Sequence, residues 1–433
     1  MKVVFLEVES DKKIYRDYNG GYGTSFNAGK SFLGKFLTGL RTNKEYFPYM
    51  PHAYGATIMK ENGHEVSISS DNAADADLVI MHASMPNHSH EIKHLKILKD
   101  KGIKVGIVGP FGAMKPELFK DAEFIIKGDV ENVLMKIKKD KDIPKGLVNS
   151  PVSNLDGLPY PDWSLFPIEK FSYNPIINKK PFTFILSSRG CTYGCNYCPY
   201  ISESNDGSKY RMRSVENVVG ELKYLRDKFG VKGVQFRDPL FTLIKKRTED
   251  LCNAIIKEGI AIELGCETRA DRLDEGLLDL MYRAGFRVIK LGIESASPEV
   301  LRKSKRLPIE LEHQEKIVKY CDKIGMRVVG FYVLGLENDT EETIKATLKY
   351  SKKLNTDFAN FTICTPIPGT EFYEIIKDRI KTENYDLYDN FHVTFDHPNL
   401  SEEKIIKYHE KALVGYYLRP RYFYKYFTKT IFA

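Results

Sequence analysis

The sequence predicts an α/β protein: an N-terminal Rossmann-like, doubly wound parallel sheet followed by a partial (β/α)6 barrel. Three observations predict it. Short apolar runs alternate with amphipathic stretches, the pattern of parallel strands joined by crossover helices. Beyond residue 180 the spacing changes, and six β-branched runs recur about every 30–50 residues. Between the two series lies a proline-rich stretch that suits neither helix nor strand.

Residues 1–150 hold the doubly wound part. Its candidate strands are Lys2–Val8, Glu65–Ser69, Asp77–His82, Ile103–Gly109 and Glu123–Lys127; its candidate helices are Ala53–Asn62, His88–Lys101 and Val130–Lys139. The segment from Ser10 to Met50 fits no period and carries glycines at 20, 21, 23, 29, 34 and 39. A loop of that length is expected to be a lid or binding loop. Residues 151–180, with LPYPDWSLFPIEKF and the single tryptophan Trp163, read as an ordered linker.

The barrel is expected over 181–375, on strands Phe182–Leu186, Gly233–Phe236, Ile260–Leu264, Arg287–Ile293, Arg327–Leu334 and Phe358–Cys364. A helical pattern follows each of the first five. Ser214 caps one with Val218, Leu222, Leu225 and Phe229 on a face, Asp274 precedes Leu277, Leu278 and Met281, and Asp339 with Glu342 resembles a capping box. Six units are too few to close a full barrel. Residues 376–433 form an extension ending in aromatic and basic residues. Those from Tyr416 on read either as a closing helix covering the barrel or as a contact with a membrane surface or lipid-like substrate.

Composition excludes several classes. At 433 residues with 42% apolar and 28% charged side chains, the chain can bury proper cores. Lys+Arg 65 against Asp+Glu 58 is a mild excess without a long basic block, so no nucleic-acid partner is expected. No run approaches about 18 apolar residues, and the start MKVVFLEVESD turns acidic at Glu7, so neither a spanning helix nor a secretory signal is expected. A cytoplasmic location follows as the expectation, with peripheral membrane contact left open.

The seven cysteines are expected to be reduced. Cys252, Cys266, Cys321 and Cys364 are scattered and read as small buried side chains. Cys191, Cys195 and Cys198 form C-x3-C-x2-C just after the first barrel strand, where chemistry sits in parallel barrels. Structural zinc wants a fourth ligand, and the next histidine is distant His313. A [4Fe–4S] cluster on three cysteines leaves one iron open. Both readings stand on spacing alone, iron–sulfur ahead.

Polar or glycine features also end the other strands: Asp238, Glu267 and Arg269, Gly292 and Glu294, Gly335, and Pro366–Thr370. Singly each is an ordinary turn. Together they ring the same face as the cysteines, which suits a zwitterionic ligand.

These residues resemble the radical S-adenosylmethionine (SAM) superfamily over about Lys180 to Tyr373, with the motif in FILSSRGCTYGCNYCPY as signature. The resemblance implies that Cys191, Cys195 and Cys198 hold the cluster and that SAM chelates the open iron. It further implies that Tyr197 contacts the adenine, Asp238 the amine side and Arg269 the carboxylate. Glu267, Gly292 and Glu294 would complete the SAM site, with Glu294 on the ribose and adenine side. One-electron cleavage would give a 5′-deoxyadenosyl radical, with the electron from a flavodoxin- or ferredoxin-type donor.

A doubly wound domain, LDGLPYPDW and then this barrel is similar to the cobalamin-binding subgroup, which holds the anaerobic Mg-protoporphyrin ester cyclases and methyltransferases. The corrin would lie at the switch point of the first sheet, on HASMPN, GPFGAM and KGD, with Ser84, Gly109, Gly112 and Gly128 as contacts. The Asp-x-His-x-x-Gly motif that lends cobalt a lower histidine is absent, a departure found both in members of the subgroup that bind cobalamin without that ligand and in members that have lost cobalamin. His82, His88, His90 and His94 read as a solvated helix start or a corrin contact. With cobalamin the expected reaction is methyl transfer to an unactivated carbon of a small-molecule or lipid-like substrate. Without it, C–H functionalisation, cyclisation or rearrangement is favoured; a non-catalytic iron–sulfur or zinc module is the rival class.

Overall fold

The computed structural model describes residues 1–29, 31–42, 45–70, 73–149, 151–200 and 210–426. In chain order the first part runs β1 (Lys2–Leu6), α1 (Phe32–Thr42), α2 (Met50–Glu61), β2 (Glu65–Ser69), β3 (Leu78–His82), α3 (His88–Asp100), β4 (Lys104–Val108), α4 (Pro110–Met114), β5 (Phe124–Lys127), α5 (Glu131–Leu134) and β6 (Gly146–Asn149). The strands pair in parallel in the order β2-β1-β3-β4-β5-β6. β3, buried at every position, is the continuous apolar run that a strand covered on both faces requires. Chain order reverses across β1 and β3, so the loops leaving those strands splay apart into a crevice.

Three elements differ from the sequence reading. The Ser10–Met50 segment contains α1, because glycine punctuation hid its helical period. The expected Val130–Lys139 helix stops at Leu134. The sixth strand, β6, is an exposed edge without hydrophobic alternation, so no pattern announced it.

The second sheet is β7 (Phe182–Ile185), β8 (Gly233–Phe236), β9 (Glu263–Thr268), β10 (Phe286–Glu294), β11 (Arg327–Leu334) and β12 (Phe358–Ile363), parallel and in chain order. The helices between are α6 (Val215–Phe229), α7 (Lys245–Lys257), α8 (Glu275–Arg283), α9 (Pro298–Lys303), α10 (Leu311–Lys323) and α11 (Glu341–Leu354). This is the six-unit open barrel. Ser214 and Asp274 cap α6 and α8 through backbone N–H groups of Asn217 and Leu277. The cap of α11 is Thr340 with Thr343, not Asp339 with Glu342; Asp339 instead accepts from Gly335 and Leu336 N–H. β9 starts later than Ile260–Leu264 because its polar carboxyl half faces inward, where Glu267 finds cations.

The segment between the sheets is ordered. Asp162 N–H donates to Thr57 of α2 and Tyr160 OH to the Asn217 carbonyl of α6, while Trp163 is fully buried against Phe166 and Phe171. After α12 (Glu371–Ile375) the chain returns as α13 (Glu402–Tyr417) and α14 (Pro420–Tyr426). α13 covers the open β12 edge: Tyr416 OH donates to the Thr356 carbonyl and Tyr417 OH to that of Ala359. Those two tail aromatics are therefore packing residues, and 427–433 lie outside the described residues.

Candidate functional site

The carboxyl ends of the barrel strands surround a cavity of about 1600 Å³, its mouth included. Cys191, Cys195 and Cys198 line it together with Tyr197, Glu267, Arg269, Gly292 and Glu294. The cysteine loop leaves β7 through a short pair with Arg211–Met212, and Gly190 turns it at φ 83°. Two backbone bonds fix it, Asn196 N–H to the Ser304 carbonyl and Phe372 N–H to that of Asn196. Burial pushes the Cys198 and Cys191 thiols up, so they ionise only against a compensating positive charge. Among the described residues no three His, Cys, Asp or Glu side chains converge as ligands of a single ion. Three thiols from one loop lining an open cavity suit a [4Fe–4S] cluster, where each binds a different iron, better than structural zinc, which wants a fourth protein ligand.

The same cavity offers partners for a zwitterion beside the cysteine loop. Arg269 is buried, bonds Asp271 and the Leu307 carbonyl, and stacks 4.7 Å from the Tyr193 ring; its Nη1 is buried and unpartnered among the described residues. The Tyr197 hydroxyl is likewise buried and unpartnered. A register shift between Gly292 and Glu294 bulges β10 and leaves Glu294 at φ 65°, which aims its carboxylate into the cavity. Arg306 faces it at 3.4 Å, donates to the Gly292 carbonyl and approaches Cys195 Sγ at 3.9 Å. Gly292 has no spare room: a Cβ would stand 2.8 Å from Glu294 Oε1 and 2.9 Å from Arg306 Nη2.

Asp238 is elsewhere. Its buried carboxylate accepts Ser187 N–H at 2.8 Å and the Ser187 and Ser188 hydroxyls at 2.6 Å, so it fixes the β7 exit rather than facing the cavity. The position next to it does the facing work. Arg237 Nε donates to Asp17 Oδ2 at 2.7 Å, its Nη2 to the Asp17 carbonyl, and its Nη1 to Glu267. Glu267 also pairs with Lys290, whose Nζ is 3.1 Å away and wholly buried. Burial lowers the Lys290 ammonium to about 8. Sequence reasoning missed Arg237, Lys290 and Arg306; a lysine at an inward position of an otherwise apolar strand was the available signal.

Asp17 belongs to the long N-terminal segment, which roofs the cavity with Tyr15, Tyr18, Asn19, Thr24 and Phe26. The roof is latched to the C-terminal part: Asn19 Nδ2 to Asn390 Oδ1 at 2.9 Å, Thr24 Oγ1 to the Asp389 carbonyl at 2.7 Å, Tyr22 OH to the Pro368 carbonyl at 2.8 Å.

A second cleft of about 1080 Å³ opens at the carboxyl edge of the first sheet. Gly20, Gly21, Gly109, Gly128 and Gly190 line it, all with positive φ. At Gly109 a Cβ would strike the His82 ring at 2.8 Å. A wall of bare backbone suits the close approach of a broad, flat ligand such as a corrin. Two expected contacts do not reach it. Ser84 is buried on Glu91, and Gly112 lies inside α4 against Ile107. No histidine lines the cleft among the described residues: His82 is buried on the Gly21 carbonyl and His88 faces Asp386. Arg237, Tyr200 and Pro239 line both cavities. Arg189, two residues before Cys191, ties the halves together through Asp129 at 2.6 Å and Glu131 at 2.6 Å.

Residues 185–351 match the family model described as Radical SAM superfamily. The chain carries a radical SAM domain. Such a domain holds a [4Fe–4S] cluster and SAM, and the three thiols and the unpartnered Arg269 nitrogen fit them. An uncharacterized methyltransferase of Pyrococcus horikoshii is 34% identical over 272 residues, 62% of this chain and 58% of the relative. The bacteriochlorophyllide d C-12(1)-methyltransferase of Chlorobaculum tepidum is 26% identical, over 71% and 68%. This chain thus spans a little over half of the first relative. Beyond the radical SAM domain, solved structures share both sheets. The methyltransferase TsrM of Kitasatospora setae, solved with cobalamin and a [4Fe–4S] cluster, superposes with TM-score 0.62 at 16% identity, covering 87% of this chain and 78% of its own. OxsB, solved with aqua-cobalamin and SAM, gives 0.57 at 14%, covering 86% and 54%. These likenesses show the fold. Among the described residues no helix is long and apolar enough to cross a membrane.

Proposed function

We propose that this protein is a cobalamin-dependent radical SAM methyltransferase acting on an unactivated carbon. The observation that carries the reading is the shared wall: the thiol-lined cavity and the glycine-lined cleft meet at Arg237, Tyr200 and Pro239. A methyl carrier in the cleft and a substrate roofed over by Tyr18 and Phe26 would face each other across that wall. Cys191, Cys195 and Cys198 would hold the cluster, Arg269 the SAM carboxylate, and Tyr197 and Glu294 the nucleoside end. Gly109 and Gly128 would bear the corrin. When bound, the cluster and SAM supply a hydrogen-abstracting radical and the corrin supplies the methyl group. The chain's own residues position and exclude water: Arg237 pins the roof through Asp17, and Asn19 with Asn390 latches it. The electron would come from a flavodoxin- or ferredoxin-type donor.

Anaerobic reconstitution with iron, sulfide and hydroxocobalamin tests the reading. Expected are about four irons and one cobalt per chain, and 5′-deoxyadenosine on adding dithionite and SAM. Iron without cobalt would refute the cobalamin part. Product formation undiminished in Cys198→Ala would refute the cluster assignment.

A further inference from the structure

We propose that the substrate taken by the barrel cavity is an uncharged molecule with an apolar ring system, seated on Phe331 and Val333 of β11. The inference rests on the reading of this cavity as the cluster and SAM site, and it names what fills the part that those groups leave open.

The cavity lining is divided by charge. Among the described residues every Asp, Glu, Lys, Arg or His that lines it comes from residues 237–306: Arg237, Glu267, Arg269, Lys290, Glu294 and Arg306. Those residues end or follow β8, β9 and β10, the side on which Arg269 and Glu294 would hold SAM. The remaining wall carries no charge. β11 and β12 present Phe331, Val333, Asn360 and Thr362, the roof adds Phe26, and the chain beyond α12 adds Phe391. Strand register sets Phe331 beside Gly292 and Asn360, and Val333 beside Thr362, so the uncharged wall begins where the SAM side ends.

Polar atoms on this wall are neutral, and the protein already uses several of them. Thr362 Oγ1 donates to the Tyr332 carbonyl at 3.3 Å, and Asn390 accepts from Asn19 at 2.9 Å. Asp389, next to Asn390 in sequence, does not line the cavity; its carboxylate accepts from Ser25, the Phe391 N–H and His392. An ionised substrate group set here would lose its hydration and find no counter-ion. A ring system meets a matching surface instead. Phe331 is partly open to the cavity, and Phe26 and Phe391 meet edge to face at 5.4 Å.

Calorimetry with the isosteric pair 2-naphthamide and 2-naphthoate, on reconstituted and SAM-loaded protein, tests this. The amide should bind at least about tenfold more tightly than the anion. Phe331→Ala should weaken the amide by about tenfold and leave SAM affinity unchanged. Val333→Lys should reverse the order of the pair, a gain of anion binding that a misfolded protein could not give. Equal binding of the two probes, no binding of the amide, or normal amide binding by Phe331→Ala overturns the proposal. Failure of the parent protein to bind SAM would instead refute the reading of the site on which the proposal rests.

Discussion

Arg189 is the side chain through which the two sheets grip each other beside the cysteine loop, and Arg189→Met tests that grip. The guanidinium makes two bonds of 2.6 Å, one to Asp129 and one to Glu131, and a third of 3.1 Å to Glu131. Its side chain is 14% exposed and that of Glu131 only 1%. Asp129 keeps a second cation, Arg211, after the substitution, but Glu131 has no other ion pair among the described residues. The dominant cost is therefore one carboxylate left buried and unpaired, about 3–5 kcal/mol for such a site. Urea unfolding followed by Trp163, the single tryptophan and fully buried between the halves, reads it. Adding Glu131→Met removes the stranded charge, so the double variant should recover at least half of the loss. A loss under about 1 kcal/mol, the range of a surface pair, or a double variant no better than the single, would refute the reasoning.

Glu91, buried beneath Ser84, is raised to about 7 by burial. Its folded pKa exceeds the unfolded one, so its contribution is full below about 4.5 and is lost as pH rises through about 7; by linkage, the unfolding free energy should fall more between about pH 5 and about pH 8 in wild type than in Glu91→Gln, by about 2.5 kcal/mol. Gly292→Ala places a methyl against Glu294 and Arg306, and calorimetry on reconstituted protein should show SAM affinity reduced on the order of tenfold. Asp238→Asn weakens three short bonds away from the cavity, so it should cost about 1.5–3 kcal/mol of stability and leave SAM affinity unchanged. Altered affinity in a variant of normal stability would restore Asp238 to the site.

Much of this architecture was readable because it rests on local rules. Apart from β6, the strands of both sheets are short apolar runs whose periods survive in sequence, and Cys191, Cys195 and Cys198 lie within eight positions of one another. What was not readable depends on partners remote in the chain. Asp238 and Arg237 are neighbours on one strand end, yet one turns to Ser187 and the other to Asp17, 220 positions away. Ser84 follows β3 at the switch point, where a ligand contact is expected, but the buried Glu91 takes both of its donors. α1 was hidden by glycines that break the hydrophobic count without breaking the helix.

The floor of the barrel cavity limits what can select a substrate there. Arg237, Glu267 and Lys290 of the floor join Asp17 of the roof as two cations and two anions in one chain of contacts, so they cancel. Arg306 faces Glu294 and Arg269 faces Asp271 in the same way. What remains on the cavity wall is aromatic and neutral polar: Tyr18, Phe26, Phe331 and Phe391 with the amides of Asn360 and Asn390. Such a lining discriminates by shape, stacking and neutral hydrogen bonds rather than by net charge. Beside the neutral latches of Asn19, Tyr22 and Thr24, one ionic contact holds the roof: Arg237 binds Asp17 of the roof and Glu267 of the floor at once. One guanidinium therefore both holds the roof and neutralises the floor carboxylate.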